Sequence, residues 1–283
     1  MVVHQRHLVT HAIGTGQTVG FVPTMGALHA GHTALIERAV AENDRAVVSI
    51  FVNPLQFGAG EDQDSYPRDL AGDVTAASRA GAAIIFAPSV EDLWPAGLPD
   101  VTVSLPRLGA LLEGARRPGH FDGVATVVAT LLGVVGPCRA YFGEKDFQQT
   151  VVVRRLVRDL ALPVDVTIVP TVRDRDGLAL SSRNAYLSAE QRQVALVLPL
   201  ALQVGVAMVE AGETDAAVVV AAVAKTLNDQ PGVRLDYVAL VDPVELSPVV
   251  AASGGRLLIA AWIGTTRLID TVALGEPDDG IVP

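Results

Sequence analysis

The sequence predicts an α/β fold: a doubly wound parallel sheet of the Rossmann type, followed by a smaller α+β domain. Over the first part of the chain, short apolar and β-branched runs alternate with segments of helical spacing, a pattern typical of parallel strands with crossover helices. After SSRNAYLS (181–188) the pattern changes to two helical stretches and then three strand-like runs. Half of the 283 residues are hydrophobic, so the chain can bury a substantial core.

Five runs make up the predicted parallel sheet, each short enough to be a buried strand. In chain order they are TVGFV (18–22), AVVSIFV (46–52), AAIIFA (82–87), RAYFG (139–143) and DVTIVP (165–170). The segments between them favour helices, which would cross from one parallel strand to the next. We therefore assign residues 1–171 to the doubly wound domain.

The predicted smaller domain comprises residues 172–283. Its helices are expected at roughly 189–210 and 214–228, with Ser188 and Thr214 as N-caps, because their hydroxyls accept bonds from N–H groups of the first turn. Its predicted strands are LDYVALVD (235–242), RLLIAAWI (256–263) and RLIDTVALG (267–275).

Composition narrows the class of function. The net charge of −10 and pI near 5.0 give no basic surface for sequence-independent nucleic-acid binding. Cys138 is the only cysteine, so an intrachain disulfide is excluded and a thiolate metal cage is not supported. The N-terminus lacks the apolar core of a signal peptide, and the apolar stretches 124–136 and 194–209 are too short or too interrupted for a membrane span of ~20 apolar residues. We expect a soluble cytoplasmic protein without nucleic-acid or membrane partners.

Candidate binding residues, most of them polar, follow four of the predicted parallel strands at their carboxyl ends, where open α/β sheets bind ligands. They are Thr24, Met25, His29 and His32 after the first strand, Asn53 and Gln56 after the second, Gly143, Glu144, Lys145, Asp146 and Gln149 after the fourth, and Ser181, Ser182 and Arg183 after the fifth. Four strand ends thus carry groups suited to an anionic ligand.

The segment HAGH places His29 and His32 where the first strand gives way to a helix. Imidazoles and backbone N–H groups at a helix N-terminus can hold a phosphate, whose charge the helix dipole also favours. Gly26 and Gly31 allow the backbone to approach closely. An ordinary surface or capping role is the alternative for the two histidines.

Lys145 and the SSRN turn are further candidates for phosphate binding. Arginine supplies 19 of the 21 basic residues, so the lysine in GEKD stands out, and its compact ammonium suits a phosphate. The hydroxyls of Ser181 and Ser182 and the guanidinium of Arg183 can form a phosphate clamp. The alternatives are a surface lysine paired with a neighbouring carboxylate, and a polar linker.

Three amides, those of Asn53, Gln56 and Gln149, suit a small polar substrate, because they bond hydroxyls and carboxylates without imposing charge. Asn53 and Gln56 could instead cap the helix after their strand. His120 lies in the Gly/Pro-rich stretch RRPGHFDGV, where a structural turn is the alternative. Asp73 and the acidic stretch before it are either solvated surface or hold magnesium through water.

Five segments, in this order, resemble the pantoate–β-alanine ligases (pantothenate synthetases) of coenzyme A biosynthesis. They are PTMGALHAGH, FVNPLQFG, RPGHFDGV, YFGEKDFQQ and PTVRDRDGLALSSRN. The resemblance runs from residue 21 to residue 184, and the remaining length suits that family's C-terminal domain. It implies ATP-dependent condensation of (R)-pantoate with β-alanine to pantothenate, AMP and diphosphate through a pantoyl adenylate. HAGH resembles the HxGH signature of nucleotidyltransferases, which act at the α-phosphate of a nucleotide.

Motif by motif, the resemblance implies roles for single residues. The implied catalytic residues are His29, His32, Lys145, Ser181, Ser182 and Arg183. The implied ATP-binding residues are Thr24, Met25, Gly26, Ala27, Leu28, His29, Ala30, Gly31, His32, Gly143, Glu144, Lys145, Asp146, Val172, Leu180, Ser181, Ser182 and Arg183. The substrate-binding candidates are Met25, Asn53, Gln56, His120 and Gln149, and Asp73 is the candidate magnesium ligand. Leu180 stands where the family pattern leads us to expect methionine, a change that nearly conserves volume. Whether His32 donates a proton or stabilises charge stays open.

The resemblance further implies Mg²⁺, which arrives with ATP and leaves with pyrophosphate, a homodimer formed through the N-terminal domains, and a lid function for residues 172–283. Two alternatives stay open. One is another HxGH nucleotidyltransferase that adenylates a small molecule and stops there; the other is a nucleotide-binding regulator without turnover. The amides of NPLQFG and FQQ favour the ligase, because they suit an uncharged diol-bearing acid.

Overall fold

A computed structural model of the chain describes residues 1–58, 61, 63 and 66–275. Its internal contacts divide it into two units. The first comprises Met1–Glu144 and Gln148–Pro170, and the second comprises Lys145–Phe147 and the chain from Thr171 onward. The division lies one residue before the predicted one, and residues 276–283 of the predicted smaller domain lie outside the described residues.

The first unit is built on a six-stranded parallel sheet. Its strands are β1 (Val2–Val3), β2 (Val19–Thr24), β3 (Arg45–Ile50), β4 (Ile84–Phe86), β5 (Cys138–Gly143) and β6 (Val164–Val169), in the order β1-β4-β3-β2-β5-β6. The five predicted strands are confirmed. The two-residue β1 was not predicted, because two valines are too few to show a period.

Helices connect the successive strands of this sheet. They are α1 (Arg6–Ile13), α2 (Ala30–Glu42), α3 (Leu70–Arg79), α4 (Val90–Leu93), α5 (Leu112–Arg116), α6 (His120–Val135) and α7 (Phe147–Asp159), with 3₁₀ turns at Pro54–Gln56, Leu108–Ala110 and Glu144–Asp146. The apolar stretch 124–136 is the largely buried body of α6. Where α2 and α3 cover the sheet, Val22, Ile36 and Ile85 are almost completely buried. Each such side chain stabilises the fold by about 1.5–3 kcal/mol.

The strand order reverses at β2. β3 and β4 lie on one side of β2, and β5 and β6 lie on the other, so β2 and β5 flank the switch point at which doubly wound sheets bind ligands. β2 pairs with β3 as far as Thr24↔Ile50, whereas its pairing with β5 ends at Phe21↔Ala140. Both β2 and β5 continue for three more residues, and over these last residues the two strands are not paired with each other. The fold therefore leaves room for a ligand just where HAGH follows β2.

The second unit carries a three-stranded antiparallel sheet and three helices. The strands are β7 (Val233–Val241), β8 (Arg256–Ile263) and β9 (Thr266–Ala273), and the helices are α8 (Ala189–Ala195), α9 (Val197–Glu210) and α10 (Ala216–Asn228). The predicted α+β architecture is confirmed. The single predicted helix at 189–210 is interrupted at Leu196, because Pro199 has no N–H to bond the Ala195 carbonyl.

Of the two predicted caps, one is confirmed and one is wrong. Ser188 caps α8, its Oγ accepting the Gln191 N–H at 3.2 Å. Thr214 was the wrong residue for the next helix, since Asp215 caps α10 and accepts the Ala217 N–H at 2.8 Å. Aspartate is at least as good an N-cap as threonine, so local sequence alone could not choose between two adjacent candidates.

Among the described residues, one helical stretch, Ala189–Glu210, is long and apolar enough by length and composition to cross a membrane. Its side chains Val197, Leu198 and Leu202 lie in the core of the second unit, together with Ile259 of β8. The stretch therefore has the surroundings of a core helix in a globular unit.

Candidate active site

The segment that follows β2 is held by hydrogen bonds within the protein. Thr24 Oγ1 accepts the Gly26 N–H at 3.2 Å. The two carboxylate oxygens of Asp73, on α3, accept the N–H groups of Ala27 at 3.0 Å and Leu28 at 2.7 Å. Three consecutive backbone donors of this segment thus bond to side chains of the protein.

His29 and His32 cap α2 reciprocally. His29 is the N-cap, and its Nδ1 accepts the Gly31 N–H at 3.1 Å. The His29 N–H in turn donates to Nδ1 of His32 at 3.3 Å. The two ring centroids are 4.2 Å apart. The capping role that the sequence left as an alternative is therefore real, and it brings the two imidazoles together at the switch point.

This capping determines which ring nitrogen carries the proton. Because Nδ1 of each ring accepts a backbone N–H, the proton of the neutral ring sits on Nε2, and a second proton at Nδ1 would break the capping bond. Five backbone N–H groups of this segment, where the sequence predicts phosphate binding, bond to side chains of the protein. They are those of residues 26–29 and 31, and the N–H donor of each neutral imidazole lies at its Nε2.

Asn53 and Gln56 lie beyond β3, both buried, and bond to each other. Asn53 caps the 3₁₀ turn Pro54–Gln56, and its Nδ2 donates to Gln56 Oε1 at 3.0 Å and to the Gly123 carbonyl at 3.1 Å. Nε2 of Gln56 lies 2.9 Å from the sulfur of Met25. Asn53 therefore fixes the amide of Gln56, and that amide faces a residue that follows β2.

Close approach of α6 holds this arrangement together. A Cβ added at Gly123 would stand 2.2 Å from the Leu55 carbonyl oxygen. A glycine is thus required for the α6 backbone to come near enough to accept the bond from Asn53. The motif RPGHFDGV contains this glycine, but motif and spacing gave no sign of its packing role.

His120 is the first residue of α6, not part of the Gly/Pro-rich loop that the sequence indicated. Its Nδ1–H donates to the Gln56 carbonyl at 2.8 Å, and its Nε2 accepts from Nη1 of Arg117 at 3.0 Å. Removal from water, with the Arg117 guanidinium beside it, lowers the pKa of His120 to about 4. Arg117 also pairs with Glu61 at 2.6 Å and holds the pKa of that carboxyl below its usual value. His120 is therefore a neutral group that bonds the main chain of Gln56.

Helix α7 carries two adjacent glutamines with different surroundings. Gln148 is 2% exposed, and its amide bonds the Glu113 N–H at 2.9 Å and the Leu108 and Leu111 carbonyls at 2.9 and 2.8 Å. Gln149 is half-buried, and within the part of the chain that the structure describes its amide makes no hydrogen bond. Sequence reasoning missed the structural role of Gln148, and ligand binding by Gln149 stays a prediction.

Lys145 lies in the 3₁₀ turn that follows β5. Its Nζ is 3.7 Å from Oδ1 of the half-exposed Asp146, a distance too long for a hydrogen bond. The ion pair that the sequence allowed as an alternative is therefore weak. The next residue but one, Phe147, packs against the Arg256 guanidinium, whose carbon lies 4.5 Å from the ring centroid. Both residues belong to the second unit, which includes Lys145–Phe147.

In the second unit, a short antiparallel turn leads into the SSRN segment. The Leu180 N–H donates to the Val172 carbonyl at 3.0 Å. Arg173 forms a two-pronged ion pair with the buried Asp270 of β9, with N–O distances of 2.6 and 2.9 Å, and also bonds the Gly177 carbonyl at 3.2 Å. This pair anchors the turn to the sheet.

The SSRN segment forms the 3₁₀ turn Ser182–Tyr186. Ser181 caps it by accepting the Arg183 N–H at 3.3 Å, so its hydroxyl keeps its own proton to donate. Asn184 bonds the Ala179 carbonyl at 3.0 Å. The turn is thus ordered by its own bonds and presents two hydroxyls and a guanidinium in sequence.

The surroundings of Asp73 differ from those of a metal ligand. Both of its oxygens bond backbone N–H groups, and the nearest carboxylate along the helix, Asp69, bonds the Gly72 N–H at 2.9 Å. In the described ranges, no group of three or more His, Cys, Asp or Glu residues is arranged to hold a metal ion. The residues at Asp73 do not fit a resident magnesium ion.

Comparisons with known proteins agree on one family. Residues 2–273 match the family model described as Pantoate-beta-alanine ligase. The pantothenate synthetase of Rhizobium etli is 50% identical over 273 residues, which cover 96% of this chain and 91% of that protein. The pantothenate synthetase of Nocardia farcinica is 52% identical over 269 residues, covering 94% and 83%.

Solved structures show the same similarity. The pantothenate synthetase of Thermus thermophilus matches with a TM-score of 0.92 and 49% identity, covering 97% of this chain and 99% of that one. The pantoate-beta-alanine ligase of Francisella tularensis, complexed with beta-gamma ATP and beta-alanine, matches with a TM-score of 0.79 and 32% identity, covering 96% and 97%.

Proposed function

Because the chain belongs to the pantoate-beta-alanine ligase family, it joins pantoate to β-alanine, and we propose that it does so through a pantoyl adenylate. In the first step a carboxylate oxygen of pantoate bonds to the α-phosphorus of ATP while the bond to pyrophosphate breaks. In the second the amine of β-alanine attacks the acyl carbon, loses a proton, and AMP leaves with the oxygen that came from pantoate. The relative from Francisella tularensis, complexed with beta-gamma ATP and beta-alanine, supports both compounds as ligands of this chain.

This sequence of steps requires hydrogen-bond donors around the phosphate and does not require a nucleophile from the protein. A free carboxylate is a poor acyl donor because oxide is a poor leaving group, whereas AMP leaves readily. The substrate carboxylate is itself the nucleophile at phosphorus, so no activated serine or cysteine is needed. Negative charge builds up around the α-phosphate during the attack, and fixed donors aimed there lower the barrier.

The observation that carries this mechanism is the reciprocal capping of His29 and His32 at the switch point of the sheet. Because Nδ1 of each ring accepts a backbone N–H, the geometry favours the ring form with its proton on Nε2, and such an N–H donor suits stabilisation of charge. We assign the segment Thr24–His32 to the nucleotide on this basis. The capping geometry supports an electrostatic role for His32, one of the two roles that the sequence left open.

Further groups for the phosphates come from two turns. Lys145 contributes a compact cation from the 3₁₀ turn Glu144–Asp146, directly after Gly143. Ser181, Ser182 and Arg183 contribute two hydroxyls and a guanidinium. The backbone hydrogen bond between Leu180 and Val172 lies just before this turn. Residue type and motif support these assignments.

Pantoate is assigned to the amides beyond β3 and on α7. Gln56 and Gln149 are the residues that would contact its hydroxyls and carboxylate, with Met25 beside Gln56. Asn53 and His120, which the sequence placed among the substrate-binding candidates, serve better as positioning residues, since their polar atoms bond Gln56. A neutral His120 adds no charge next to the substrate.

Magnesium enters as the complex with ATP, as it does for phosphoryl-transfer enzymes in general. A cytoplasmic location and a homodimer complete the proposal. The cytoplasmic location is supported by the single cysteine, Cys138, which leaves the chain without the intrachain disulfides typical of secreted proteins. The homodimer rests on the family resemblance.

Pyrophosphate release tests the proposed function. Purified protein with ATP, Mg²⁺ and pantoate is expected to release a burst of pyrophosphate limited to the enzyme present, because the adenylate stays bound, and β-alanine is expected to start steady release of AMP. AMP found only within a dinucleotide-like product would point instead to a nucleotidyltransferase that stops at adenylation. Binding of ATP without any pyrophosphate release in the presence of pantoate would point to a regulator.

A further inference from the structure

We infer that Asp73 is a positioning residue that shapes the nucleotide-binding segment, and that it does not ligate magnesium. The carboxylate is 5% exposed, and its two oxygens bond the consecutive N–H groups of Ala27 and Leu28 at 3.0 and 2.7 Å. The inference rests on the proposed role of Thr24–His32 in binding ATP.

The bonds to Asp73 hold an unusual backbone. Gly26 and Ala27 both have left-handed conformations, with φ of 82° and 51°, and together they turn the chain from β2 into α2. For alanine this conformation costs about 1–2 kcal/mol, so a bond that fixes its N–H is needed to keep it populated. A Cβ at Gly26 would stand 2.6 Å from Oδ2 of Asp73, which shows how closely the carboxylate underlies the turn.

Because both Asp73 oxygens already accept these hydrogen bonds, the carboxylate is poorly placed to bind a cation as well. A divalent ion in a protein collects several oxygen ligands. Along the first turn of α3, Leu70, Ala71 and Gly72 have no side-chain oxygen, and Asp69 is engaged as the N-cap. The carboxylate of Asp73 therefore stands alone, with its charge already directed at two backbone donors.

A buried negative charge next to a site for polyphosphate opposes ATP binding unless it is offset. Two charge-assisted bonds from backbone donors supply that offset. An asparagine would keep one acceptor and turn its NH₂ group against the other N–H, so Asp73→Asn removes one bond and creates a donor–donor contact. The segment that carries His29 and His32 would then lose its fixed path.

Asp73→Asn, compared with Asp69→Asn, separates positioning from metal binding. We expect Asp73→Asn to lower kcat/KM for ATP by about 10–100-fold, the scale of a small misplacement of reacting groups, with an unchanged KM for β-alanine. The loss should be the same at every concentration of free Mg²⁺. Asp69→Asn, which keeps a good N-cap residue on the same helix, should behave like the wild type.

Amide hydrogen exchange gives a readout apart from activity. In Asp73→Asn the amides of Ala27 and Leu28 are expected to lose protection while the core strands keep theirs. Recovery of activity at high Mg²⁺, or amides that stay protected with near-normal use of ATP, would overturn the inference. If replacement of His32 left adenylation unchanged, the proposed site would be wrong, whereas the exchange of these two amides would still decide what Asp73 holds.

Discussion

Replacing His32 by alanine is expected to slow pantoyl adenylate formation by about 10²–10³-fold, the effect typical of losing one preorganised donor. The Nε2–H of His32 is fixed because its Nδ1 accepts the His29 N–H at 3.3 Å. Alanine removes the donor and also one half of the reciprocal cap. Loss of the cap costs stability by about 1 kcal/mol, which is small beside the effect on rate. Rapid-quench measurement of pyrophosphate release, with ATP and pantoate saturating, gives the rate of this step.

His32→Gln distinguishes the two roles of this side chain. Glutamine at the third position of a helix can accept the N-cap N–H, as in an ordinary capping box, and its amide nitrogen can still donate. A glutamine variant clearly faster than the alanine variant would support a neutral donor, and equal rates would support a proton donor. His11→Ala, on α1 outside the candidate site, serves as the matched control and should leave adenylation unchanged. Near-normal turnover of His32→Ala would remove His32 from the mechanism.

The second large effect is expected for Lys145→Ala, with adenylation slower by about 10²–10³-fold. The ammonium group lies 3.7 Å from the half-exposed carboxylate of Asp146, so little of the loss should come from stability. What is removed is a cation beside the phosphates. The same rapid-quench measurement applies, together with thermal unfolding to show that the fold is intact.

The chain supplies its own control for this variant, since Lys225 is its other lysine. Lys225 is exposed on α10 and pairs with Asp229 one turn away, so Lys225→Ala should be as active as the wild type. Lys145→Arg keeps the charge but replaces a compact ammonium by a planar guanidinium, and we expect it to recover only part of the rate. Full activity of Lys145→Ala would assign the phosphates to other groups.

Much of the fold could be predicted because it depends on local periodicity. The strand RLLIAAWI has the predicted bounds, Arg256–Ile263, since an unbroken apolar run ends at both sides in turn residues. The interruption at Leu196 was missed although Pro199 was visible, because a proline inside the first turn of a helix leaves the pattern of apolar residues intact. Val2–Val3 becomes a strand only because β4 lies beside it.

The residues of the candidate site could be named from motifs, whereas their partners could not. Asp73 bonds Ala27 and Leu28 across 46 and 45 positions of sequence, and Asn53 bonds Gly123 across 70. Such contacts decide whether a polar side chain holds the scaffold or a ligand. Gln148 and Gln149 show this most clearly, since they are identical neighbours in sequence and only the tertiary structure shows that the amide of Gln148 bonds the scaffold.

Isotope labelling of the pantoate carboxylate tests most directly whether pantoate attacks the α-phosphorus of ATP. With ¹⁸O in the carboxylate of pantoate, and ATP and β-alanine unlabelled, the AMP formed in one turnover should carry one labelled oxygen and the pyrophosphate none. AMP without label, or label in pyrophosphate or inorganic phosphate, would show that pantoate is activated elsewhere on the nucleotide and would contradict the roles given to His29, His32 and Lys145.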